Sequence, residues 1–277
     1  MKFVAVLLTV HDRKEKTLEC LKQVCVQQLP DGYAVDIFLT DDGCTDGTSE
    51  AVAREYPQVN IIHGDGTLFW NRGMAKAWTA AVSRKDYDFY LWLNDDTRIY
   101  SDAFANLITT SSLYNDKNIV VGSACATDNC NGITYGGYSK NKLVVPQDKP
   151  QRCDYFNGNI VLFPKYVYDI VGMNDSSFSH ALGDFDYGLR AGQLNVKSVV
   201  APGIMGVCDR HGSLPVWRDS ERSVFERWKA FRTPLGQNPE EFFVFENRHH
   251  GMFSAVFHYV TNHVRVFFPW LWKNNDF

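Results

Sequence analysis

The chain has 277 residues, 45% hydrophobic and 14% aromatic, which excludes a disordered chain and provides for one sizeable core with a smaller element attached. Its formal net charge of −4 at pH 7 lacks the basic excess that usually meets a phosphate backbone, so no nucleic acid is expected as a partner. A small ligand is.

The seven cysteines, scattered from Cys20 to Cys208, form no CxxC pair and no zinc-ribbon spacing, which fits the reducing cytoplasm, including the inner face of the plasma membrane. The opening run FVAVLLTV is too short to span a bilayer and leads into charged HDRKEK rather than a small-residue cleavage site. It is read as a first buried strand, followed by a helix over 13–28. AVDIFLT is the next strand, with a helix over 46–56. The strands VNIIHG, YDFYLWL and NIVVGSA follow, with helices over 71–85 and 101–114. Strands that are continuous apolar runs and alternate with helices imply a parallel sheet covered on both faces. NGITYGGYSKNKLVV reads as an inserted hairpin. GDFDYGLRAGQ reads as a helix that opens with acids and stops at Gly192, and VKSVVAP as a strand. From about 217 the pattern is helical.

In such sheets ligands bind outside the carboxyl ends of the strands. Those ends read TVHD, TDDGCTDGT, HGDGTLFWNRG and NDDT. Two adjacent acids, Asp95 and Asp96, close the strand YDFYLWL, and their mutual repulsion calls for a cation; hard oxygen ligands suit Mg²⁺ or Mn²⁺. In DDGCTDGT, Asp46 or Thr45 can cap the following helix. That leaves Asp41 and Asp42 without a structural task, and a carboxylate there can accept hydrogen bonds from a ribose hydroxyl or a pyrimidine N–H.

Taken in order, VLLTVHDR, LTDDGCTDGT, the NDD after a strand and GDFDYGLRA resemble the family 2 glycosyltransferases, inverting enzymes of the GT-A fold, and most closely their bacterial rhamnosyltransferase-like members. The resemblance covers about residues 3–212. It implies an α/β fold, a Rossmann-like, mostly parallel sheet flanked by helices. Residues 1–216 would form the nucleotide-sugar-binding and catalytic domain, and 217–277 a helical C-terminal extension packed on it or on a membrane surface. The implied activity is metal-dependent transfer of a sugar from a UDP- or dTDP-sugar to a saccharide or lipid-linked glycan in bacterial surface polysaccharide synthesis, with Mn²⁺ or Mg²⁺ as cofactor.

Residue by residue, the resemblance places Thr9, Val10, His11 and Asp41 in the nucleotide pocket, and Gly66 and Asn71 along the donor. Asn94-Asp95-Asp96 takes the place of the family's D-x-D, with Asp96 as metal ligand and Asp95 supporting it. GDFD takes the place of E-D-x-D, with Gly183 where the family has glutamate and Asp184 as general base. Arg190 reads as a structural partner for Asp184 or Asp186. The third metal ligand is either Cys208, by count from Asp184, or His211 three residues on, the harder ligand and the one favoured.

Trp70, Trp217 and Asn159 are candidates for an acceptor cleft, against the alternatives of core packing for the aromatics and turn closure for the amide. A nucleotidyltransferase would carry a Gly-rich basic loop after its first strand, and TVHDRKEK has no glycine. A non-catalytic nucleotide-sugar-binding module would need no base.

Overall fold

The computed structural model describes residues 1–127, 130, 132–210 and 214–271. The chain divides into two compact units, one of residues 1–176 and 183–210, the other of residues 177–182 and 211–277.

The first unit runs β1 (Lys2–Val10), α1 (Lys14–Cys25), β2 (Tyr33–Asp41), α2 (Thr48–Glu55), β3 (Asn60–His63), α3 (Phe69–Arg84), β4 (Phe89–Leu93), β5 (Arg98–Ile99), α4 (Ala103–Ser112) and β6 (Ile119–Cys125). It continues through β7 (Ile133–Tyr135), β8 (Gly137–Ser139), β9 (Lys142–Leu143), β10 (Gln151–Cys153), β11 (Tyr155–Phe156), β12 (Ile160–Pro164), α5 (Lys165–Val171), α6 (Gly183–Gln193) and β13 (Ser198–Val207). The main sheet has the order β10-β13-β6-β12-β4-β1-β2-β3. The pairs β1–β2, β1–β4, β2–β3 and β6–β13 are parallel.

The side-chain alternation of β1 shows why its run is apolar throughout. Val4, Val6, Leu8 and Val10 enter one core with residues of α1, α2 and α4, while Ala5 and Leu7 enter the other with residues of α3, α5 and α6. A strand buried on both faces cannot alternate with polar residues.

Among the described residues, four strands of the main sheet depart from the expected parallel pattern: β5 and β10 pair antiparallel with β13, β7 with β6, and β12 with both of its neighbours. β12 lies between β4 and β6 and is antiparallel to both. Its run IVLFP is fully buried, and an apolar run reads the same in either direction. The expected hairpin is present as β8 and β9, which turn through Lys140 and Asn141 at positive φ, the backbone that two-residue hairpins require. Cys125, at the end of β6, and Cys130 bring their sulfurs together five residues apart.

The second unit holds α7 (Val224–Phe231), α8 (Pro239–His250) and α9 (Met252–Phe267), with 3₁₀ turns at Val216–Arg218 and Pro269–Leu271. Ser223 and Glu226 form a capping box at the start of α7, and the Asn238 side chain accepts from the Glu241 amide ahead of α8, where Pro239 occupies the first turn. Trp217, Phe231 and Val266 make its core. The buried Arg227 donates from Nε to the Val266 carbonyl at 2.8 Å.

Candidate active site

The carboxyl edge of β1, β2 and β4 gathers the acidic turns, and hydrogen bonds stitch them together. Asp46 follows β2 and accepts from the Thr48 amide at 3.0 Å, one residue ahead of Gly47, which takes the N-cap position of α2 in place of the expected Asp46 or Thr45. Asp46 also accepts from the Lys14 amide at 2.9 Å and so begins α1. Asp12 accepts from the Thr45 amide at 2.6 Å. Among the described residues, Asp12, Cys44 and Asp46 bring ligand atoms within 4.8 Å of one another, yet both carboxylates are already engaged by backbone amides.

Asp41 and Asp42 do have structural tasks, contrary to expectation. Asp41 accepts from the Cys44 amide at 2.7 Å and from the Ser49 hydroxyl, with His63 Nδ1 at 3.6 Å. Burial alone would push its carboxyl up, but these partners hold it below the ordinary carboxylate range. Asp42 accepts from the amides of Gly66 (2.9 Å), Leu68 (3.2 Å) and Phe69 (2.9 Å), so one carboxylate shapes the loop before α3 and satisfies its first amides. Gly66 stands at φ +85°, a backbone that side chains with a Cβ rarely adopt. Of the stretch Thr9, Val10, His11, the first two are buried and only His11 is exposed, its Nδ1 donating to the Asp42 carbonyl at 2.6 Å.

The pair Asp95 and Asp96 has its cation within the chain. Arg13, just after β1, donates from one Nη to Asp95 Oδ1 at 3.3 Å and to Asp96 Oδ2 at 3.0 Å. Nothing in the sequence reading singled out Arg13; the signal available was a lone arginine in a loop at the ligand edge. Burial pushes the Asp95 carboxyl up, Arg13 pulls it down and Asp96 pushes it up again, which together leave it raised to about 7. Cys208 lies beside this pair, its Sγ 3.7 Å from Asp96 Oδ1. Burial, then the neighbouring Asp96, push that thiol up to about 12, so it stays protonated near neutral pH. His211 lies outside the described residues.

One loop ties the acidic turn to Asp184. The Gly158 amide donates to Asp184 Oδ2 at 2.9 Å, and the next residue, Asn159, accepts the Asn94 amide at 3.0 Å. Trp70 donates from Nε1 to Asn94 Oδ1 at 2.7 Å and so orients the residue that stands in place of an aspartate. Asp184 Oδ1 accepts from the Phe185 amide at 2.8 Å. The carboxyl is partly exposed, and burial outweighs both amides to push it up to about 6. Arg190 is the expected structural partner, donating to the buried Asp186 at 2.8 Å.

Three expected contact residues sit elsewhere. Asn71 is fully buried: its Nδ2 donates to the Asp175 carbonyl at 2.7 Å and its Oδ1 accepts from Asn174 at 2.7 Å. A Cβ on Gly183 would lie 2.1 Å from Asn71 Oδ1, which accounts for glycine where the family motif has glutamate. Asn159 is buried behind the acidic turn, its amide 3.4 Å from Thr97 Oγ1 and 3.6 Å from Cys208 Sγ. Trp217 is core of the C-terminal unit, its ring 5.4 Å from that of Phe231. A buried aromatic and a sugar-stacking aromatic look alike in a single sequence.

A mostly parallel sheet with helices on both faces and acids clustered at one carboxyl edge is the architecture of a GT-A glycosyltransferase domain. The family model described as "Glycosyl transferase family 2" matches residues 5–172, and the chain belongs to that family. A hyaluronan synthase from Streptococcus pyogenes is 28% identical over 124 residues, 43% of this chain and 28% of the synthase. The chain thus matches well under half the length of that relative. Among solved structures, S. aureus TarS 1-349 in complex with UDP-GlcNAc aligns with a TM-score of 0.56 at 13% identity, over 94% of this chain and 76% of that one. The mannosyltransferase PcManGT from Pyrobaculum calidifontis, in complex with GDP-Man and Mn²⁺, aligns with a TM-score of 0.56 at 14% identity, over 97% and 81%. At these identities the two structures share the fold.

Proposed function

We propose that the chain is an inverting glycosyltransferase that moves a sugar from a UDP- or dTDP-sugar to a saccharide or lipid-linked glycan in bacterial surface polysaccharide synthesis. The carrying observation is the loop 157–159, which joins a partly exposed carboxyl of raised pKa, Asp184, to the acidic turn Asn94-Asp95-Asp96. The nucleotide sugars named with the TarS and PcManGT structures support a nucleotide-diphosphate donor.

In this reading Asp184 is the general base. Its oxygens each accept one backbone amide, which fixes the carboxylate and leaves a lone pair on each for the acceptor hydroxyl. As that oxygen bonds to the anomeric carbon, its proton passes to Asp184 and the bond to the diphosphate breaks. One displacement inverts the carbon and needs no covalent intermediate. Asp41 and His11 border the nucleotide side of the edge, and Trp70 and Asn94 the side toward the acceptor.

The acidic turn fits Mn²⁺ or Mg²⁺: it offers two carboxylates, and Asp95 remains pushed up to about 7 even beside Arg13, so a further positive charge is favourable there. Asp96 would hold such an ion, which when bound stabilises the leaving diphosphate. Protonated Cys208 suits it poorly, which favours His211 as further ligand.

The test is a thermal-shift screen of nucleotide sugars with and without Mn²⁺, followed by mass spectrometry for released nucleoside diphosphate. A UDP- or dTDP-sugar is expected to raise the melting temperature and to be turned over. Binding without turnover under any acceptor would identify a binding module, and turnover of a GDP-sugar alone would overturn the nucleotide assignment.

A further inference from the structure

The turn after β4 holds a side-chain amide whose orientation is dictated by chemistry. The indole Nε1 of Trp70 carries one hydrogen and no acceptor lone pair, so the Asn94 atom 2.7 Å from it is the amide oxygen. Neither partner is free to turn. The Trp70 ring lies edge-on to Trp92 at 5.5 Å and fills the space that a Cβ on Gly158 would take, 2.4 Å from its ring carbons. The backbone N–H of Asn94 donates to the Asn159 carbonyl at 3.0 Å, and its carbonyl accepts from the Thr97 amide at 3.1 Å. Held at its backbone and at Oδ1, Asn94 turns Nδ2 away from Trp70. The residue is half-buried, and among the described residues nothing accepts from Nδ2, which solvent reaches.

That donor stands where an aspartate, which only accepts, would complete the D-x-D pattern. A sugar hydroxyl both donates and accepts, so it gives no reason for the exchange. A phosphate oxygen only accepts and carries negative charge, so an aspartate would repel it and an amide N–H attracts it. The acids that follow are offset by Arg13, within 3.3 Å of both. In the reading proposed above, Asp96 lies toward the diphosphate and Asp184 toward the acceptor. Asn94 is next but one to Asp96 in the chain, and Asn159 and Gly158 link its backbone to Asp184. The donor group that falls between the two acids is the phosphate bearing the sugar.

We propose that Asn94 donates from Nδ2 to the sugar-bearing phosphate of the donor, and that Trp70 is the positioning residue that holds the amide in that polarity. As the bond to the sugar breaks, negative charge builds on that phosphate, and a donor already in place stabilises it without rearrangement. The proposal rests on the glycosyltransferase reading and adds to it a contact that the carboxylates of Asp95 and Asp96, as acceptors, do not supply.

The full chain is titrated calorimetrically with UDP, dTDP, UMP and dTMP at saturating Mn²⁺, and the preference for diphosphate over monophosphate is the readout. Asn94→Leu should cut that preference by about tenfold or more, the usual worth of a hydrogen bond to a charged group, with monophosphate affinity within about twofold of the parent. Trp70→Phe keeps an aromatic ring but removes the N–H, so the amide samples both orientations and the preference should fall about two- to threefold. In the Asn94→Leu background the same change should have no effect, and that double variant leaves no indole N–H stranded. Affinity for free Mn²⁺, read by paramagnetic resonance, should be unchanged in Asn94→Leu. The proposal is overturned if Asn94→Leu keeps the parent's preference, if Trp70→Phe acts equally in both backgrounds, or if Mn²⁺ affinity falls along with the preference. In each of those cases a parent that prefers the diphosphate leaves the glycosyltransferase reading standing, whereas a parent with no such preference overturns both.

Discussion

Replacing Asp184 by Asn removes the proposed base while nearly keeping its shape, and it should move activity and stability in opposite senses. Transfer should fall by about 10²–10⁴-fold, the usual contribution of a positioned base. For stability, burial pushes the Asp184 carboxyl from 3.8 up to about 6 against the amides of Gly158 and Phe185. The folded chain therefore binds this proton more tightly than the unfolded chain. The stabilising effect is full below pH 3.8 and is lost as pH rises through about 6. A difference of about two pH units at 1.36 kcal/mol each gives on the order of 3 kcal/mol, which solvent at the partly exposed carboxyl reduces to about 1–3 kcal/mol. The Asn amide must face one of two backbone N–H groups, but that penalty does not vary with pH and cancels from the comparison. Urea denaturation at pH 4 and pH 8 should thus show wild type losing about 1–3 kcal/mol more than the variant over that interval. Nucleoside diphosphate release by wild type should rise through pH 6 to a plateau. A variant that kept more than a few per cent of transfer, or that lost stability with pH in parallel with wild type, would refute the base assignment and the burial that underlies it.

Other substitutions test the rest of the edge. Asp42→Ala strands the amides of Gly66, Leu68 and Phe69, and stability should fall by about 3–5 kcal/mol, as hydrogen bonds to a charged group are worth about 1.5–3 kcal/mol each and add incompletely; a loss below about 1 kcal/mol in urea would show that water replaces the carboxylate. Arg13→Gln takes the guanidinium off Asp95 and Asp96, so the donor-free protein should bind Mn²⁺ at least about fivefold more tightly, by paramagnetic resonance of the free ion; unchanged or weaker binding would mean that Arg13 does not compete with a metal there. Trp217→Ala should destabilise the C-terminal unit by about 3–5 kcal/mol in hydrogen exchange, since it opens a cavity against Phe231.

The alternation of apolar runs and amphipathic segments made β1, β2, β4 and β6 and their helices legible, because a parallel strand buried on both faces has a composition that little else shares. Strand direction was not legible. β12 has the same apolar character as its neighbours, and its antiparallel course depends on how the excursion after β6 returns to the sheet. The acids at the strand ends could likewise be found, but a carboxylate that receives three backbone amides, as Asp42 does, looks in sequence like one that receives a ribose. Asn71 was assigned to the donor, and Asn159 and Trp217 were left open between two roles, for a related reason: amides and aromatics serve buried networks and ligand contacts alike, and only burial separates the two.

The pair Asp95 and Asp96 shows what spacing alone does not convey. Two adjacent carboxylates at the end of a buried strand require positive charge, and that inference from the sequence is physically sound. What supplies the charge is a matter of three dimensions, since Arg13 lies 82 residues from Asp95 and reaches it only because β1 and β4 are parallel neighbours whose carboxyl ends share one edge. Arg13 is 40% exposed at its side chain whereas the two carboxylates are at 7% and 8%, so the guanidinium covers the acids from the solvent side. A buried acid pair with its counter-ion on the same chain has its repulsion offset without any other cation, and removing that one guanidinium would leave two buried charges uncompensated.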